Sequence, residues 1–148
     1  MSPAPTAAQI SPAIAVPNDV RQFLDRHAFG VVATINPDGS PHTALVWYLF
    51  EDDIVVINSA EGRRWPSNLR RDPRMSFAVD DGHDWVSLRG TAEIVEDQAQ
   101  SQADIAAMAR KYDDPAMAEE EIRTQFQRQR RVSFRLRPAA IHSELGGD

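Results

Sequence analysis

FGVVATINPDGSPHTALVWYLF, residues 29–50, sets two strand-like runs around a turn. Phe29 to Ile35 is rich in valine and isoleucine, Asn36-Pro37-Asp38-Gly39 supplies turn chemistry, and Pro41 to Phe50 resumes an extended pattern, so a hairpin is expected. In the second run both alternating sets are largely apolar: Ala44, Val46, Tyr48 and Phe50 on one face, Leu45, Trp47 and Leu49 on the other. A strand buried on both faces is implied. In a small barrel the inner face meets the core, so the outer face needs a cover, either a partner subunit or a flat cofactor.

Working outward, Asn18 or Asp19 is placed to cap a short helix through about Arg26, with Val20, Phe23 and Leu24 as its apolar stripe and the core beneath it. Ile54 to Ile57 reads as a third strand. Met75, Phe77 and Val79 alternate with Ser76 and Ala78 in a fourth. In a fifth, Val86, Leu88, Gly90, Ala92 and Ile94 face one way and put Trp85 on the non-core side. Helical spacing returns at Ile105, Met108, Ala109 and Tyr112. A further helix is expected to start with Asp114 as cap and Pro115 as first residue, burying Ile122 and Phe126. Val132, Phe134 and Leu136 form a closing strand running toward Ile141. Six short strands with few helices suggest a small barrel.

The length of 148 residues suits one domain with one core. A net charge of −6 argues against broad electrostatic binding to nucleic acid. With no Cys, disulfides, thiolate catalysis, iron–sulfur clusters and Cys-based zinc sites are excluded, and cytoplasmic residence fits. Residues 1–17, MSPAPTAAQISPAIAVP, lack a positive start and a continuous apolar stretch and read as a disordered leader before a single domain over 18–148. The longest apolar run, Ala44 to Phe50, is far short of the roughly 20 residues of a membrane helix, so a soluble protein is expected.

Asn58 to Arg74, NSAEGRRWPSNLRRDPR, crowds five arginines and a tryptophan between two strands. A helix start and guanidinium forks both suit a phosphate, so the segment points to a phosphorylated cofactor. The plain alternative is a solvated helix face. The four histidines, His27, His42, His83 and His142, are dispersed, with no pair at ligand spacing, and no metal site is expected. Glu119, Glu120 and Glu121 near a helix start complement the dipole. No GxSxG, HExxH, Walker or GxGxxG pattern occurs. An anion anchor beside flat apolar surfaces remains, the latter from Trp47, Tyr48 and outward-facing Trp85.

The order of a strand, the turn DGSPH, the strand VWYLF, then AEGRRWPSNLRRDPR and the run GTAEI resembles the split β-barrel flavin/deazaflavin oxidoreductases. These include the pyridoxamine 5′-phosphate oxidase-like proteins, and the likeness extends from about Asn18 to His142. It is nearest the actinobacterial branch that uses the deazaflavin coenzyme F420. The resemblance implies a mainly β fold with α, a six-stranded FMN-binding split barrel with peripheral helices, assembled as a homodimer with cofactor sites at the interface. It implies that Val46, Trp47 and Tyr48 line the ring, that Asn58 and Ser59 end the third strand beside it, and that Arg63 meets the cofactor phosphate. Arg64, Trp65, Asn68 and Trp85 complete the implied cofactor-binding set. The family commonly has a lysine eight residues before the proline of the DPR motif; here Trp65 stands at that position.

The implied chemistry is hydride transfer from reduced F420 to an unsaturated small-molecule acceptor, with the protein positioning and desolvating. No catalytic residue is assigned; Tyr48 is a weak candidate proton donor beside solvent. FMN is the rival cofactor. A non-enzymatic carrier of a flavin or tetrapyrrole is the reading from another class, and a nucleic-acid binder using residues 63–74 is disfavoured by the acidic balance.

Overall fold

The computed structural model describes residues 13–27 and 29–146. A helix α1 (Asn18–Arg26) precedes β1 (Phe29–Ile35), β2 (Pro41–Trp47), β3 (Leu49–Glu51) and β4 (Ile54–Ala60). Then come α2 (Arg64–Arg71), β5 (Arg74–Asp80) and the long β6 (Trp85–Val95). Helices α3 (Gln98–Tyr112) and α4 (Pro115–Thr124) and a single 3-10 turn lead into β7 (Arg131–Leu136) and β8 (Ala140–Glu144). The strands form one antiparallel sheet in the order β2-β1-β5-β6-β7-β4-β3, with β8 paired to β6.

The two ends of that order, β2 and β3, are chain neighbours separated by Tyr48 alone, so the sheet curls back on itself. Strand β6 crosses between the halves: Arg74 to Asp80 of β5 pair with its first seven residues, whereas Ala92 to Val95 pair with β7. Near that changeover lies Gly90, where a Cβ would stand 2.9 Å from Leu136 Cδ1 and 3.1 Å from the Arg137 carbonyl. Only a residue without a side chain lets the strands pass so closely.

Eight strands stand where six are expected, one extra break set by tertiary contacts and the other by a proline. The run from Pro41 to Phe50 is interrupted at Tyr48, whose ring is fully buried against Phe77 and whose hydroxyl donates to the Leu24 carbonyl at 2.6 Å. The Tyr48 carbonyl accepts from the Tyr112 hydroxyl instead of a neighbouring strand. The closing run is interrupted by Pro138, which has no N–H for a ladder. The second strand is also not covered on both faces within one chain, since Leu45 is 82% exposed.

Elsewhere local chemistry and structure agree. Met75, Phe77 and Val79 are buried in alternation. Asp114 accepts from Met117 N and Pro115 begins α4. Gly39 takes φ +88° in the expected turn and its N–H donates to the Asn36 carbonyl. At α1, by contrast, the cap position falls on Pro17 and not on Asn18 or Asp19, no side chain caps the helix, and Asn18 Oδ1 accepts from the Arg21 guanidinium. Ile94, expected inward, is 36% exposed beyond the β6 changeover.

Phe23, Leu24, Val32, Phe77, Val86 and Phe134 lie in the barrel core. A second cluster, Ile105, Met108, Ala109, Ile122 and Phe126, joins α3 to α4 and meets the barrel through Trp47, Leu49 and Val56. Residues 1–12 of the expected leader lie outside the described residues. Residues 13–17 lie against the barrel: Val16 is buried, and Ile14 N donates to the Pro138 carbonyl at 2.9 Å. Among the described residues no helix is long and apolar enough to cross a membrane.

Candidate functional site

A cleft of about 480 Å³ opens between the end of β2, the start of α2 and the α3–α4 pair. Val46 and Trp47 come from β2, Asn58 from β4, Arg63 from the turn into α2, Trp65 from its first turn, and Arg131 from the first position of β7. Ile105, Met108 and Phe126 close the helical side. Its aromatic wall is braced by Tyr112, whose ring stacks on Phe29 at 5.7 Å and tilts against Trp47 at 5.4 Å. Trp65 is 4% exposed and packs on Phe134 at 5.4 Å.

The five arginines of residues 58–74 separate by role. Arg70 forms a two-pronged pair with Glu61 and a further bond to Glu96, and Arg74 grips Asp72. Arg71 donates to the Asn68 side chain and the Ile35 carbonyl. Arg63 and Arg64 have no ion pair among the described residues, and of the five only Arg63 borders the cleft. Arg63 is also the N-cap of α2, an end that no side chain caps. Pro66 at the third helical position has no N–H, so the free donors of this first turn are those of Arg64 and Trp65.

Asn58 is the hub of the floor. Its Nδ2 donates to the Ser101 carbonyl at 2.9 Å and to Ser133 Oγ at 2.8 Å, and its Oδ1 accepts from Arg131 Nε at 2.9 Å. Burial, and then the positive charge of Arg63, push the Arg131 guanidinium down to about 10. Glu121 also borders the cleft; its carboxyl is pushed up by a hydrogen bond with Asp113, by burial and by the Asp113 charge.

Of the residues expected to hold a cofactor, Val46, Trp47, Asn58, Arg63 and Trp65 are brought together here. Tyr48, Ser59, Arg64, Asn68 and Trp85 are not. Tyr48 points into the barrel, where its hydroxyl donates to the Leu24 carbonyl, and it does not border this cleft. Ser59 is buried and donates to the Ala60 carbonyl. Asn68 is buried and its amide ties α2 to Thr34 and Asn36. Trp85 faces outward in a separate groove with Phe29, Leu45 and Ala78. Sequence reasoning missed Arg131, Gln125 and the α3–α4 wall. The sequence carries no signal that separates Arg131 from its neighbours Arg128 and Arg130.

Tyr112 carries a consequence for alkaline pH. Burial pushes its phenol up to about 12, partly opposed by its bond to the Tyr48 carbonyl. The unfolded phenol loses its proton near about 10, so this contribution to stability is complete below that pH and is lost as pH rises through 12. Tyr112→Phe is expected to flatten the fall of unfolding free energy over that window, measured by urea titration at stepped pH.

A curled antiparallel barrel with a cationic, aromatic-walled cleft at its mouth defines the class of fold. Residues 16–144 match the family model described as pyridoxamine 5′-phosphate oxidase, and the chain belongs to that family. The conserved hypothetical protein Rv2991 from Mycobacterium tuberculosis is 27% identical with a TM-score of 0.72, over 88% of this chain and 85% of that one. An F420 reductase is 22% identical with a TM-score of 0.66, over 86% and 98%. The heme storage protein HutZ from Vibrio cholerae is 17% identical with a TM-score of 0.64, over 84% and 91%. The last two likenesses are likenesses of fold.

Proposed function

We propose that the cleft binds a phosphorylated flavin or deazaflavin, F420 first and FMN as its rival, and that the protein is an oxidoreductase acting on an unsaturated small molecule. The observation that carries this reading is the pairing of unneutralised guanidiniums, Arg63 and Arg131, with flat apolar walls in one cleft. The family and the fold shared with an F420 reductase support it. The residues present fit such a group: Trp65 leaves the positive charge to the two arginines, and the α2 start adds backbone donors.

When bound, the reduced cofactor supplies a hydride for an electron-poor acceptor. The chain's own part is positional. Arg63 would hold the phosphate, Trp47 and Trp65 would offer apolar wall to the ring system, and Ile105, Met108 and Phe126 would keep water from that side. The second subunit of a homodimer covers the open edge at Phe29 and Leu45. With both tyrosine hydroxyls of this region donating to backbone carbonyls, solvent protonates the product.

Those committed hydroxyls also favour a second reading, a flavin carrier without turnover. No histidine lines the cleft to hold a haem iron. Titration with F420 and FMN, followed by tryptophan quenching, tests binding, and an acceptor screen under single turnover separates enzyme from carrier. Micromolar binding of one cofactor is expected; binding of neither removes both readings. Arg63→Ala is expected to weaken cofactor binding by about 1.5 to 3 kcal/mol, measured in the same titration. Unchanged affinity would place the anchor elsewhere.

A further inference from the structure

We infer that Arg131 is the inner anchor of an oxyanion site on the cleft floor, taking a phosphate of the ligand between itself and Arg63 at the rim. The identity of the ligand rests on the cofactor reading above, but the site can be tested with inorganic phosphate alone.

Arg131 is 5% exposed, and its side-chain partners are neutral. Nε donates to Asn58 Oδ1 at 2.9 Å, Nη1 donates to Gln129 Oε1 at 2.5 Å, and the guanidinium carbon stands 5.1 Å from the centre of the Phe126 ring. Nη2 has no partner among the described residues, although Arg131 borders the cleft. A buried charge is costly unless a counter-charge meets it, and no ion pair is formed here among the described residues. Neutral amide oxygens do not require a cation, so holding the loop is not a sufficient reason for a guanidinium at this position.

The surroundings sharpen the assignment. Arg63 is close enough to oppose the charge on Arg131, and like charges share the cleft. Glu121, the one acidic residue lining it, forms no ion pair with either arginine among the described residues. An anion with several free oxygens relieves this repulsion and meets the open Nη2. The fork is already aimed, because Asn58 is fixed by Ser101 and Ser133 and cannot turn its Oδ1 away without losing both bonds. A fixed planar fork suits phosphate oxygens better than a flexible ammonium.

Wild type, Arg63→Ala, Arg131→Lys and Arg131→Gln are each titrated with FMN, riboflavin and F420 by tryptophan quenching. Inorganic phosphate is added to the wild type while the arginine Nε–H signals are followed by NMR. The expected result is a loss of about 10- to 150-fold in affinity for the phosphorylated cofactor in Arg131→Gln, with riboflavin unaffected. Arg131→Lys, which keeps a charge but not the fork, is expected to fall between. Phosphate is expected to move the Arg131 Nε–H signal, a result independent of whether the glutamine variant folds. Loss confined to FMN identifies a phosphomonoester as the occupant, and loss confined to F420 a phosphodiester.

An Arg131 signal that moves with neither phosphate nor a bound phosphorylated cofactor overturns the inference. So does wild-type affinity in both Arg131 variants. If phosphate moves Arg131 but FMN and F420 do not bind, the oxyanion site stands and the cofactor reading falls. If a cofactor binds with no dependence on Arg131, the converse holds.

Discussion

Leu45→Asp is expected to yield a folded monomer that has lost cofactor affinity. Leu45 is 82% exposed in the single chain, beside Phe29 at 61% and Trp85 at 39%. These side chains border an apolar groove of about 450 Å³ along β1, β2 and β5. Phe29 and Leu45 line both this groove and the cationic cleft, so the cleft wall runs without interruption into uncovered apolar surface. In the homodimer proposed above, a second copy covering that surface would complete the wall. Placing a carboxylate there desolvates an unpaired charge and removes an apolar anchor, and a loss of dimer affinity of at least about 100-fold is expected. Sedimentation measures the assembly, far-ultraviolet circular dichroism the fold, and cofactor titration the site. Little is lost within the chain itself, because the side chain buries almost nothing there. A dimer with unchanged affinity would show that this face is not the one a second copy covers.

The features legible in the sequence are those decided within a few residues. Alternation along Met75, Phe77 and Val79, the turn at Gly39 and the Asp114–Pro115 helix start each depend on neighbours in the chain. The break at Tyr48 does not. Its ring enters the core because the barrel must close there, a demand set by strands far away in sequence, and local periodicity continues through it unbroken. Arginine roles have the same character. Arg63 and Arg70 lie in one short run, yet Arg70 is committed to Glu61 and Glu96 while Arg63, at the cleft, has no ion pair among the described residues. Arg131 follows Arg128 and Arg130 in what reads as a solvated basic stretch, and only the packing of β4, α3 and β7 reveals that it is buried.

Asn58→Ala is expected to lower stability by about 3 to 5 kcal/mol, because each polar group left without a partner inside the protein costs about 1 to 3 kcal/mol and more if charged. The substitution takes a partner from Ser133 Oγ and from the Arg131 guanidinium, and removes the bond that the Ser101 carbonyl accepts from outside its own helix. Two of these groups lie on different elements, Ser101 on α3 and Ser133 on β7, while Asn58 itself is on β4, so one amide joins the helical layer to two strands. The same amide aims Arg131. Stability and ligand affinity are therefore expected to fall together. Asn58→Asp shifts their balance: the carboxylate retains acceptors for Arg131 and neutralises it, but cannot donate to Ser101 or Ser133. Denaturant unfolding of Asn58→Asp should still show a loss, and phosphate affinity should fall further than in Asn58→Ala because the guanidinium is already paired. A stable Asn58→Ala protein with unchanged ligand affinity would mean that water replaces the amide at all three partners and that the arginine needs no support from it.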